Sequence, residues 1–80
     1  MMPIKEFLNK LKWDPRFKDK HYIIYFYDRV EDCLQHVHFE NITIEDNFIK
    51  TKLSDIEVTI PLHRVREVRD EEKLIWKRPS

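Results

Sequence analysis

The chain has no glycine among its 80 residues, and that absence bears on every point where the backbone must reverse. Glycine enters the left-handed region at little steric cost, so tight hairpin turns of the primed types usually rely on it. Reversals here fall to Asn, Asp and Pro, and longer loops are expected in preference to primed two-residue turns. The same absence excludes a glycine-rich phosphate loop, and with it nucleotide triphosphate binding by that device.

Apolar residues make up 41% of the chain, enough for one modest core, so residues 1–80 are expected to form a single domain. Such a core supplies about 3–5 kcal/mol, which leaves room for a protein partner or a homodimer interface to add stability. Cys33 is the single cysteine; it permits no internal disulfide and no cysteine-rich zinc module, and a reducing compartment follows. No stretch approaches the roughly 20 apolar residues of a membrane helix, and the N-terminus lacks the apolar core of a signal peptide. A cytoplasmic protein is expected.

Ile4, Phe7, Leu8 and Leu11 recur at the spacing of one helix face, with Pro3 suited to the first turn. Pro15 ends that helix near Trp13-Asp14, and a loop through Lys20 follows. Tyr22 to Tyr27 is too short for a helix and apolar on both faces, as a central strand would be; Tyr22, Ile24 and Phe26 share one side, Ile23, Tyr25 and Tyr27 the other. Leu34 to Phe39 alternates, setting His36 and His38 opposite Val37 and Phe39, and should pair with that strand as a hairpin. Ile42 and Ile44 suggest a short segment, Phe48 to Leu53 a weak strand, and Ile56, Val58 and Ile60 a half-buried strand after a turn at Ser54-Asp55. Pro61 should end the pairing there, and Arg64 to Arg69 with Leu74-Ile75-Trp76 reads as a closing hairpin. The spacing of Leu62, Val65 and Val68 also fits a short helix, the less favoured choice. The expected fold class is α+β: one N-terminal helix packed on a bent antiparallel β-sheet or small barrel of five to six short strands.

The net charge is zero, yet its distribution is uneven. Met1 to Val30 holds seven Lys or Arg against four Asp or Glu, Glu31 to Ile60 two against seven, and Pro61 to Ser80 six against four. If the two basic ends pack side by side, the domain carries a basic face and an acidic back, the footprint of a phosphate binder. Scattered solvating charge is the plainer alternative.

Three stretches, taken together, are recognisable: Trp13-Asp14-Pro15-Arg16-Phe17 after an amphipathic helix, Tyr27-Asp28-Arg29 closing an aromatic strand, and Ile60 to Val68 with its Ile-Pro-Leu-His-Arg-Val-Arg run, closed by Trp76-Lys77-Arg78-Pro79. In this order and spacing they resemble a family of small archaeal proteins whose domain is described as an RNA cyclic group end recognition domain. The resemblance implies binding of RNA termini at the 3′ end, notably ends bearing a 2′,3′-cyclic phosphate. Where family members tend to have a glycine in the strand before the Asp-Arg pair, this chain carries Tyr25, which bears on how closely a ligand can approach.

A terminal phosphate calls for concentrated positive charge, and the arginine fork can engage two of its oxygens. Arg29, Arg64, Arg66 and Arg78 are the candidates, with Lys77 beside them; Arg64 and Arg66 would share a face if Arg64 to Arg69 is a strand. Surface ion pairing with Glu67, Asp70 and Glu71 is the competing role, at about 0–1 kcal/mol per pair. Tyr25 and Tyr27 are candidates for stacking a base, whereas Trp13 and Trp76 are expected in the core. Asp28 is assigned to orienting an arginine and Asp14 to capping a turn.

His63 could donate to a phosphate, although a lone histidine is more often structural. Two-histidine hydrolysis of a cyclic phosphate needs paired H-x-T or H-x-S motifs, and His21, His36, His38 and His63 all lack them. His36 and His38 share a strand face, but zinc wants three or four ligands, so a solvated pair is expected and no metal or cofactor. The leading expectation is a non-catalytic RNA-binding module. Its rivals are a protein–protein interaction module and a phosphoesterase using His63.

Overall fold

The structure, a computed structural model, describes residues 3–15 and 21–78. Arg16, Phe17 and Pro79, three residues of the recognisable stretches, and the expected loop at 16–20 lie outside them. Helix α1 spans Ile4–Trp13, and seven strands follow: β1 Tyr22–Asp28, β2 Cys33–His38, β3 Thr43–Ile44, β4 Phe48–Leu53, β5 Ile56–Pro61, β6 Val65–Asp70 and β7 Lys73–Lys77. They form two antiparallel sheets, one ordered β2-β1-β6-β7 and one ordered β3-β4-β5. One N-terminal helix over bent antiparallel sheet is therefore the architecture, with the strands divided between two sheets and one more strand than the upper expectation.

Helix α1 starts where Pro3 has an extended ψ of 147° and accepts from the Phe7 amide, and it stops at Asp14, whose amide still reaches the Lys10 carbonyl. Its buried stripe is Ile4, Leu8 and Leu11, and Phe7 stacks on Trp76 of β7 with ring centroids 6.4 Å apart. Trp13 departs from the expectation of core packing: it is 75% exposed. It follows Lys12 at the helix end, about half a turn around the axis from the apolar stripe, with the Lys12 ammonium 5.7 Å from its ring.

β1 is the central strand. Tyr22, Ile24 and Phe26 are buried, and they join Val37 of β2, Val65 and Val68 of β6, Trp76 of β7, Ile49 and Ile60 of the second sheet, Leu62 and the helix stripe in one core. The residues Val65 and Val68 both point inward although strand alternation would separate them. A bulge resolves this: β1 residues Tyr25 and Phe26 face Glu67 and Val65, so Arg66 is the extra residue. The same three-residue spacing admitted a helix on sequence grounds; the bulge satisfies it within a strand.

Turn geometry differs from expectation. Leu53 pairs with Ile56, leaving the two-residue loop Ser54-Asp55, and both residues have positive φ, 52° and 66°. This is the geometry of a primed turn made without glycine. Asp tolerates the left-handed region because its short side chain bonds locally. Asp32 and Glu71 also have positive φ, 53° and 57°. Glu71 is the bulkiest of the four, so Glu71→Gly should raise stability by about 1 kcal/mol and the melting temperature by roughly 4–8 °C, whereas Glu71→Val should lower both; thermal denaturation monitored by circular dichroism checks this.

Tyr22 is buried, and its phenol pKa is raised above 10.0, first by desolvation and then by the carboxylates of Asp70 and Asp14. The folded state thus favours the neutral phenol, and the contribution is fully present below about pH 10 and lost as pH rises through the folded value. Tyr22→Phe should flatten the alkaline limb of the stability curve, measurable by urea denaturation from pH 8 to about 11.

Candidate functional site

The side of the four-stranded sheet that faces away from the core is a patterned surface. Alternation puts Tyr25 and Tyr27 of β1 there, and register sets His36 beside Tyr25 on β2 and Glu67 beside it on β6. Lys77 of β7 pairs with Glu67 and extends the row across the sheet. Two arginines of β6 lie over the tyrosines: Arg66 is 5.9 Å from the Tyr27 ring and Arg69 is 5.0 Å from the Tyr25 ring. A guanidinium over a tyrosine face is held by the ring quadrupole, at about 0.5–1 kcal/mol where exposed. Glu67, the acidic member of the row, sits 3.3 Å from Arg69 Nη2 and holds that guanidinium in place. His36 lies 5.7 Å from the Tyr25 ring, and His38 is 6.3 Å beyond His36 in an edge-on contact.

At the C-terminal end of β1 lies a cleft of about 290 Å³ lined by Phe26, Tyr27 and Asp28 of β1, Val30 and Glu31 of the turn that follows, Leu53 of β4, Val58 to Pro61 of β5, and Arg64. Arg64 is outside the strand, in a single 3-10 turn Leu62–Arg64 that also carries the exposed His63. Arg64 and Arg66 therefore do not share a strand face. The turn and the bulge instead send Arg64 into the cleft and Arg66 onto Tyr27, so both border the same tyrosine.

Arg78 follows β7 and returns to this end of the sheet. Its Nε donates to the Val65 carbonyl and its Nη2 to the Leu62 carbonyl, each at 2.9 Å, and its guanidinium lies 5.4 Å from the Trp76 ring. The side chain braces both flanks of the turn that presents His63 and Arg64. Arg29 is exposed on the β1–β2 turn. The Asp28 carboxylate accepts from the amides of Val30 and Glu31 and from Gln35 Nε2, so it caps that turn. Tyr27 donates its hydroxyl to Asp32 across the same turn.

The end of β1, the start of β6 and the end of β7 lie at one end of the antiparallel sheet, so Arg29, His63, Arg64 and Arg78, far apart in the chain, all belong to segments at that end. Lys77 stands slightly inward of them. Arg69, and the adjacency of His36 to Tyr25, were not singled out from sequence; the alternation of Glu67 and Arg69 was a usable signal once β6 is paired to β1. Among the described residues, no three His, Cys, Asp or Glu side chains converge as a metal site would require, and no helix is long and apolar enough to cross a membrane.

A positive and aromatic sheet face ending in an arginine-bearing cleft suits anionic, base-bearing ligands. Comparison with known proteins finds relatives along nearly the whole chain. The chain is 36% identical over 81 residues to a UPF0248 protein of Saccharolobus solfataricus, covering 96% of this chain and 98% of that protein. A UPF0248 protein of Saccharolobus islandicus is 35% identical over 80 residues, with 96% and 100% covered, and one of Methanococcus maripaludis is 38% identical over 66 residues, with 81% and 82% covered. No solved structure matches the chain. The model of the MJ1316 RNA cyclic group end recognition domain matches residues 1–78, and the chain belongs to that family.

Proposed function

We propose that this domain is an RNA-binding module that captures RNA at the 3′ end, with preference for a terminus bearing a 2′,3′-cyclic phosphate. The observation that carries the reading is the meeting of two unlike surfaces at Tyr27: a half-buried aromatic ring on the outer side of the sheet, and beside it Arg66 and the Arg64 cleft. In this reading the terminal base stacks on Tyr27, the phosphate takes Arg64 and Arg66, and Arg29 and His63 contribute from the rim. Lys77 adds attraction along the sheet. Asp28 acts indirectly, by holding the turn that carries Arg29, and Arg78 is a positioning residue for Arg64.

The net charge of zero is compatible with this because the basic C-terminal block supplies β6 and β7, and with them Arg64, Arg66, Arg69, Lys77 and Arg78, to the sheet that carries Tyr25 and Tyr27. The field at the face, rather than the total charge, attracts a polyanion. The family to which the chain belongs is named for the same ligand class.

Matched short RNAs ending in hydroxyl, linear phosphate or cyclic phosphate test the reading by fluorescence anisotropy. The wild type should bind the cyclic-phosphate end most tightly, and Arg64→Ala should remove most of that preference, at about 1.5–3 kcal/mol for a charged hydrogen bond, or roughly 10- to 150-fold. Affinity should fall as salt rises, with a shallower slope in Arg66→Ala. Equal affinity for the three ends would sink end recognition, and salt-independent capture of a protein would favour an interaction module. Turnover of the cyclic phosphate, abolished by His63→Ala, would replace binding with phosphoesterase chemistry.

Arg78→Ala should act differently from Arg64→Ala. Loss of two carbonyl partners destabilises the domain by about 1.5–3 kcal/mol as well as weakening end preference, and Arg78→Lys should not restore it, because an ammonium lacks the fork. Paired melting and binding curves distinguish this bracing role from direct contact.

A further inference from the structure

The reading above uses one end of the sheet face and leaves the middle unexplained. There, His38, His36 and Tyr25 form a continuous run of rings across β2 and β1. Arg69 closes the run on the β6 side, over Tyr25. These are not core residues: His36 and His38 are exposed, and Tyr25 and Arg69 are half-buried. Arg69 is anchored through Nη2 to Glu67, at 3.3 and 3.4 Å to the two carboxylate oxygens. Its reach is therefore set before any ligand arrives.

Tyr25 and Tyr27 stand on the same side of one strand, two residues apart, or about 6.6 Å along it. Each has its own arginine from β6. The unit of ring plus guanidinium is thus repeated, once beside the cleft and once farther from it. A single-stranded nucleic acid repeats in the same way, one base and one phosphate per step, and proteins that hold it seat successive unstacked bases on successive rings.

We infer that the middle of the face is a second nucleotide subsite, which takes the base preceding the RNA terminus on the Tyr25–His36 pair and the linking phosphodiester against Arg69. The inference rests on the terminal reading, because that reading gives the strand its direction: terminus at the cleft, body of the RNA toward His38. The subsite should be tolerant of base identity, since stacking uses the π-face that every base has.

The test compares a nucleoside 2′,3′-cyclic monophosphate with di- and tetranucleotides ending in the same cyclic phosphate, and with the same oligonucleotides ending in 3′-hydroxyl, by calorimetry. The wild type should gain about tenfold or more on passing from one nucleotide to two. Tyr25→Ala and Arg69→Gln should lose that gain, by roughly 5- to 150-fold for the stacking residue, while binding the mononucleotide as the wild type does. Tyr25→Phe should retain the gain, because stacking does not need the hydroxyl, and melting curves verify that each variant is folded. A dinucleotide that binds no more tightly than the mononucleotide would overturn the second subsite, as would Tyr25→Ala weakening both alike. If cyclic-phosphate and hydroxyl ends bind equally while the Tyr25-dependent gain with length persists, end recognition fails and the second subsite stands.

Discussion

The antiparallel pairing of β1 with β6 is the constraint on which the rest of the molecule depends. It joins residues 22–26 to residues 65–70, closing a loop of some forty residues before its contacts return any stabilisation. What makes the closure worthwhile is apolar: Ile24, Val65 and Val68 are fully enclosed, and Phe26 nearly so. In a core this small, truncating one of them to alanine costs an amount comparable with the whole stability of the domain. The same pairing sets the chemistry of the opposite side, because every residue that turns its neighbour inward sends the next one out. Burial of Ile24 and Phe26 is thus the reason that Tyr25 and Tyr27 face outward, with Arg66 and Arg69 beside them.

The bulge at Arg66 has its own physical cause. A regular strand from Val65 would place Glu67 and Arg69 on the core side with Val65, and would leave Val68 outside. Inserting one unpaired residue resets the alternation after Arg66, so Val65 and Val68 are both buried and Glu67 and Arg69 join Arg66 on the outer side. The local loss of ladder pairing is offset by a full valine burial, and it brings Arg69 to Tyr25, a cation that strict alternation would have turned toward the core.

Much of this was legible from residue patterns. The aromatic run at Tyr22 to Tyr27, the alternation from Leu34 as far as His38 and at Ile56 to Ile60, and the helix stripe of Ile4, Leu8 and Leu11 lie in the elements their periodicity indicated, while Phe39, expected in the same strand as Leu34, begins a 3-10 turn. The division into two sheets was not legible, because periodicity says which side of a strand is buried and not which strand it joins. Trp13 was misplaced for a related reason: its apolar ring suggested burial, while its angular position on the helix put it outside the stripe. At the candidate site, the residue types were visible in sequence, but the pairing of Arg66 with Tyr27, of Arg69 with Tyr25 and of Arg78 with two carbonyls depends on register, which composition does not carry.

The turns made without glycine have an effect beyond backbone geometry. The left-handed positions fall to Asp32, Ser54, Asp55 and Glu71, three of them acidic, and Glu31 and Glu72 stand next to two of them. Solving a conformational problem with carboxyl-bearing residues also deposits negative charge at the hairpin tips, at opposite ends of β1 in the four-stranded sheet. One of these tips stands at the same end of β1 as Arg29 and the Arg64 cleft, which Glu31 helps to line, so the turn that shapes that end also offsets part of its positive charge. Glycine at the same positions would ease the backbone and remove that offset.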